Sequence, residues 1–178
     1  HLISQGILTA KVGAGSYLQK LPSNWSEQGI VQPISQLIEA DPNYRFDVQE
    51  ARSTLEGGTA WYAAQRATPE DLQKIRDCYA RIASSQSQGK INDAARADAA
   101  FHLAIAEASH NVVLIQMMRS LFDLLQHNVV LARRKIYSEA KHFDQLQDQH
   151  WAVMQAIERG DPEAARQAVC GHIEFIIQ

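Results

Sequence analysis

Asp98-Ala-Ala-Phe101-His102-Leu-Ala-Ile105-Ala-Glu-Ala-Ser109-His110-Asn111 decides how the rest of the chain is read. Ala, Leu and Ile dominate it, no Gly or Pro interrupts it, and Phe101, Ile105 and Ala108 recur at helical spacing. The stretch therefore predicts a helix. Asp98 and His102 stand four residues apart and project from one face. A carboxylate and an imidazole on one face are half of a metal site. Taken alone, the pair reads more often as a hydrogen-bonded Asp–His or a core histidine, so the remainder of the chain has to decide.

Working outward, the next histidines fall on similar faces. In the pattern Phe143, Leu146, His150, Val153, Ile157 an imidazole interrupts an apolar stripe. Ala165, Ala168, Val169, His172, Phe175 and Ile176 form a second such stripe around His172. Gly160-Asp161-Pro162-Glu163 separates the two helices, as a stop followed by a cap. Three histidines on inward faces of three helices, joined by Asp98, are harder to explain singly than together, because each buried imidazole needs a partner. Helix bundles build metal sites from facing side chains. A His3Asp set suits zinc first, with nickel and manganese as alternatives.

The other segments supply the bundle. Ser26 to Ala40 carries Ile30, Val31, Ile34, Leu37 and Ile38 on one face, with Pro33 in its first turns. A helix is expected over 47–67, with Val48, Ala51, Leu55, Ala60 and Ala63 buried and Arg52 and Glu56 paired one turn apart. Gly57-Gly58 in its middle is costly and points to close approach by another helix or a bound group. Trp61 and Tyr62 follow as core, pocket wall or dimer contact. Thr68-Pro69-Glu70-Asp71 is a helix start, Leu72, Ile75, Tyr79 and Ile82 keep the period, and residues 84–90 form a polar break. A long helix is expected over 112–137, with His127, Arg133 and Arg134 along it, and another over 138–159. The fold class is all-α, an antiparallel bundle of six or seven helices.

Residues 1–20 differ. Ile7-Leu8 and Ser16-Tyr17-Leu18 are β-prone, and Gly13-Ala14-Gly15 between them supplies a turn. A lone hairpin is marginal in water, so this segment is expected to complete a domain that preceded it. Residues 21–26 read as a linker and 27–178 as the helical domain.

Composition bounds the function. The 178 residues are 46% hydrophobic and 21% charged, with a net charge of −3. The isoelectric point near 6.2 argues against strong nucleic-acid binding by this segment itself. No apolar run approaches a membrane span and no leader pattern opens the chain, so no membrane partner is expected. Cys78 and Cys170 lack metal or redox spacing and read as reduced thiols of a cytoplasmic protein. No zincin motif, nucleophile beside a His–Asp pair or glycine-rich phosphate loop is present, so an enzyme is not expected. Four protein ligands leave room at a six-coordinate ion for a small carboxylate or hydroxy-acid. Arg52 can grip the far end of such an anion, and Arg133 or Arg134 can add to the field; for both, a solvated surface position stays equally open.

Arg52-x-x-x-Glu56, then Asp98-x-x-Phe101-His102-x-x-Ile105-x-x-Ala108-Ser109-His110-Asn111, then His150 and His172, resembles the C-terminal effector-binding domain of GntR-type bacterial transcription regulators, in the metal-binding FCD branch of the FadR subfamily. The resemblance covers about Ser26 to the end. Gly6-Ile7-Leu8 and Gly13-Ala14-Gly15-Ser16-Tyr17-Leu18 look like the tail and wing of that family's winged helix-turn-helix domain, whose recognition helix is not in this chain. The run Trp25-Ser-Glu-Gln-Gly-Ile-Val-Gln-Pro33, with Phe101 to Asn111, is most similar to the L-lactate-responsive repressors of lactate-utilisation operons. Pyruvate-responsive regulators are the nearest rival and tend to lack this ligand set.

The resemblance implies a cytoplasmic homodimer, a small carboxylate effector in the bundle, and operator DNA bound by paired N-terminal domains at a palindrome. It implies that Asp98, His102, His150 and His172 hold the ion and that the effector joins the ion and Arg52, shifting the DNA-binding heads. Regulators sensing pyruvate or glycolate, a small metal-dependent enzyme and a metal-free dimerisation module are the competing readings.

Overall fold

The computed structural model describes residues 8–11, 15–18, 31–41, 43–128 and 143–177. Among these are two short strands, β1 (Leu8–Lys11) and β2 (Gly15–Leu18), and seven helices: α1 (Gln32–Ala40), α2 (Tyr44–Arg66), α3 (Pro69–Ser87), α4 (Ile91–Ala108), α5 (Val112–Asn128), α6 (Phe143–Glu158) and α7 (Pro162–Ile177). The strands pair antiparallel, with Leu8 opposite Leu18 and Lys11 opposite Gly15. The expected linker over 21–26, the continuation of α5 to residue 137 with Arg133 and Arg134, and the start of α6 at residue 138 lie outside the described residues.

Local chemistry sets the boundaries. At the start of α3, Thr68 Oγ1 accepts from the Asp71 backbone N–H at 3.2 Å and Asp71 Oδ2 accepts from the Thr68 backbone N–H at 2.9 Å. This capping box, with Pro69 at the first helical position, fulfils the expected start. The polar break starts later than expected, because α3 continues to Ser87; Ser87 Oγ donates back to the Ser84 carbonyl at 2.9 Å, and Gly89, at φ 66°, then turns the chain. Helix α2 begins one turn before the expected Asp47. Asp41 Oδ1 accepts from the Asn43 N–H at 2.9 Å, and the backbone bond from Tyr44 N to Asp41 O at 3.1 Å re-enters helix at once. Gly160, at φ 65°, reverses the chain between α6 and α7, and Asp161 Oδ1 caps α7 through the Ala164 N–H at 3.0 Å.

Two large apolar clusters share α4, beside a small third one around Ala94 and Leu146. One is built from Ala60 and Ala63 of α2, Ile75, Cys78 and Ile82 of α3, Phe101 and Ile105 of α4, Val153 and Ile157 of α6, and Val169 and Ile173 of α7. The other joins Val31 and Val48 to Ala99 and Ala106 of α4 and to Met118, Phe122 and Leu125 of α5. Ten of the eighteen residues of α4 are buried, on faces all round it. That explains its alanine content: a helix enclosed by neighbours needs small side chains where they press closest. Helix α2 packs mainly along α7, α3 along α4, and α6 against α7.

The glycine pair behaves as two different residues. A Cβ on Gly57 would stand 2.9 Å from Cys170 Sγ and 3.3 Å from Arg166 Cγ of α7, which is the close helix approach expected; a Cβ on Gly58 meets nothing within 4 Å. Trp61 and Tyr62 are half-buried and meet edge to face at 4.9 Å, with the Arg66 guanidinium 4.1 Å over Tyr62. Cys78 and Cys170 are free thiols. No helix among the described residues is long and apolar enough to cross a membrane.

Candidate metal and effector site

The four residues singled out by spacing meet in the interior. Asp98 and His102 come from α4, His150 from α6 and His172 from α7, none more than 2% exposed. Each offers one ligand atom, and those atoms lie within 4.8 Å of one another. His150 Nε2 donates to Asp98 Oδ1 at 2.9 Å, and His102 Nε2 stands 3.7 Å from the same oxygen. The His102 and His172 rings lie nearly parallel with centroids 5.2 Å apart, and the His150 and His172 centroids are 4.4 Å apart. Phe122 of α5 stacks on His102 at 6.0 Å, and Phe101 meets His150 edge-on at 5.2 Å, so apolar rings wall the cluster.

A second layer fixes two of the imidazoles from behind. His102 Nδ1 stands 2.6 Å from Glu56 Oε2 of α2, and Glu56 Oε1 receives the Nε–H of Arg52. Arg52 and Glu56 are as buried as the histidines. His172 Nδ1 donates to Gln149 Oε1 at 3.0 Å. With their Nδ1 atoms engaged, His102 and His172 turn Nε2 inward, and neither of those buried nitrogens has a hydrogen-bond partner. Buried polar atoms in that condition are rare and costly.

Electrostatics follow from burial and neighbours. Burial alone would raise the Glu56 carboxyl, but Arg52 and His102 beside it outweigh this and hold it at about 2. Burial pushes His102 down, yet Glu56 and Asp98 more than compensate and its pKa is raised. His172 is pushed well below the usual histidine range by burial and by the neighbouring His150 and His102. It is therefore neutral at physiological pH, the state in which an imidazole donates to a metal.

The donor set fits a divalent ion of the zinc, nickel or manganese type: three imidazoles, one carboxylate, two inward nitrogens with no other partner, and outer partners on the far sides of two rings. Of the residues expected to contact an effector, Arg52 lies behind this cluster, joined to it through Glu56; Arg133 and Arg134 lie outside the described residues. Two residues were not foreseen at the site. Glu56 was visible only as the helical partner of Arg52, and Gln149 had no signal beyond its place next to His150.

The FCD domain family matches residues 47–175, which span all four clustered residues together with Arg52 and Glu56. The chain is 46% identical, over 98% of its length, to a protein of Escherichia coli (strain K12) named as a regulatory protein of the L-lactate dehydrogenase operon. It spans 66% of that relative's length, just under two thirds. It is 30% identical to the HTH-type transcriptional regulator LutR of Bacillus subtilis (strain 168), over 97% of this chain and 76% of that one. Among solved structures, a GntR protein of Streptococcus agalactiae superposes with a TM-score of 0.65 at 20% identity, covering 98% of this chain and 76% of the other, which shows the shared fold. The chain belongs to the FCD-domain family, and the relatives it matches are transcription regulators rather than enzymes.

Proposed function

We propose that this chain is the sensing part of a bacterial transcription regulator. It detects a small hydroxy-carboxylate, L-lactate first, through a divalent ion held by Asp98, His102, His150 and His172. The observation that carries the reading is the pair of inward Nε2 atoms on His102 and His172, buried, lacking hydrogen-bond partners and set beside Asp98 and His150. Buried histidine nitrogens that merely fill a core generally find a hydrogen-bond partner. When bound, the ion supplies a Lewis acid for a carboxylate or hydroxyl oxygen.

The chain's own residues do the rest. Phe101 and Phe122 exclude water from the rings. Arg52 stands one residue behind the cluster and grips the effector's carboxylate by exchanging it with Glu56; Arg133 and Arg134 are further candidates for that anion. The name of the E. coli relative supports lactate over pyruvate or glycolate. The paired strands over 8–18 support a wing of an N-terminal DNA-binding domain, so that operator DNA is bound by a homodimer whose heads move when the effector binds.

The test is a thermal-shift panel on the chain, zinc-loaded and stripped with EDTA, against L-lactate, D-lactate, glycolate, pyruvate and citrate. A ligand of the folded state raises the midpoint. The expected result is a rise with L-lactate in the loaded form alone. No rise with any acid in either form overturns the effector reading.

A further inference from the structure

Glu56 sits where a purely structural ion pair has no reason to sit. It is buried on α2 against α4, and its two oxygens face different partners: Oε1 receives Arg52, and Oε2 stands 2.6 Å from His102 Nδ1. The contact is a close ion pair rather than an aligned hydrogen bond, and a carboxylate oxygen this near Nδ1 favours a proton on that nitrogen. Its Nε2 is then the donor atom left over, on the side of Asp98, 3.7 Å away, and it has no hydrogen bond of its own.

We infer that Glu56 is a positioning residue of the metal site, locking His102 in the tautomer and ring orientation that present Nε2 to the ion. The inference rests on the metal reading above and deepens it. His172 shows the contrast. It is backed by the neutral amide of Gln149 at 3.0 Å, on a half-buried residue. A carboxylate behind an imidazole strengthens the ring as a donor more than an amide does, and removing such an outer partner lowers metal affinity about 10- to 100-fold. Of the two imidazoles backed from outside the cluster, His102 thus has the stronger outer partner. Arg52 completes the device. By bonding Oε1 it compensates the buried Glu56 carboxylate and leaves the second oxygen on the His102 side. Helix α2, carrying both Arg52 and Glu56, is tied to the ion without contributing a ligand.

The test measures Co2+ affinity of the 178-residue chain by competition with a chromophoric chelator, together with the visible absorption of bound Co2+, which reports ligand number. Because removing Glu56 alone strands a buried guanidinium, the variants are built on Arg52→Met, and R52M, R52M/E56Q and R52M/E56L are compared. Relative to R52M, the amide variant is expected to lose about 10-fold and the leucine variant about 100-fold, with an altered Co2+ spectrum in the latter. Equal affinity and equal spectra across the three overturn the role of Glu56 and leave the metal site standing. Failure of the unaltered chain to bind Co2+ removes both. A second measurement needs no variant: long-range 1H–15N NMR of the Zn2+-loaded chain reads the His102 tautomer. A proton on Nδ1 supports the inference, and one on Nε2 overturns it.

Discussion

Asp71, half-buried, accepts from the Thr68 N–H and from the Thr68 hydroxyl, and it meets His110 Nε2 at 2.8 Å. His110 closes α4 at φ 51°, a left-handed position uncommon for a residue with a side chain. The Asp71 contact ties that turn to the start of α3. Burial nudges the Asp71 carboxyl up, but the Thr68 bonds and His110 draw it below its usual 3.8. A carboxyl depressed in the folded state stabilises fully above its unfolded value and loses that contribution as pH falls through the folded one. Asp71→Asn should therefore flatten the loss of stability below about pH 4 in urea titrations, with little change in slope at neutral pH. Thr68→Ala removes one half of the capping box and should cost about 1 kcal/mol by the same titration.

At the scale of the element, α2 shows why neighbouring glycines are not equivalent. Gly58→Ala adds a methyl where nothing lies within 4 Å, so helix propensity alone acts and the chain should gain about 0.5–1 kcal/mol. Gly57→Ala drives a methyl toward Cys170 Sγ at 2.9 Å and Arg166 Cγ at 3.3 Å, so the propensity gain should be offset or reversed as α7 gives way. Denaturant midpoints of the two variants moving in the same direction by the same amount would contradict the close contact. Sequence spacing showed that the pair was unusual but not which glycine bears the contact, because the facing residues are more than a hundred positions away. The start of α2 falls earlier than the residue pattern suggests because its first turn is entered from outside, through the backbone bond from Tyr44 N to Asp41 O and the Asp41 side chain's bond to the Asn43 N–H.

For the whole molecule, the legible part of the site was the part that breaks a pattern. His150 and His172 stand out because each interrupts an apolar stripe, and Asp98 joins His102 by helical spacing. Glu56 did not stand out, because an Arg and a Glu one turn apart are most often a solvated pair; only the packing of α2 against α4 and α7 buries them. If the cluster holds an ion, folding and metal binding are linked. At a free Zn2+ concentration 1,000 times the dissociation constant the folded state gains about 4 kcal/mol. EDTA should lower the unfolding midpoint accordingly, and His172→Ala should abolish the difference between loaded and stripped chains.

The position of α4 between the two cores has an evolutionary corollary. Ala94, Ala99, Ala104, Ala106 and Ala108 are enclosed, and enlarging any of them costs about 1–3 kcal/mol, whereas on the proposed metal reading exchanging His172, backed by the neutral Gln149 amide, for a similarly sized apolar residue would remove the ion and leave the packing nearly intact. On that reading drift can silence the sensor without disturbing its scaffold. Descendants that keep the small residues of α4 but lack the imidazoles are the expected fossils of such a loss, recognisable by a lining that still has the shape of a binding site and none of its chemistry.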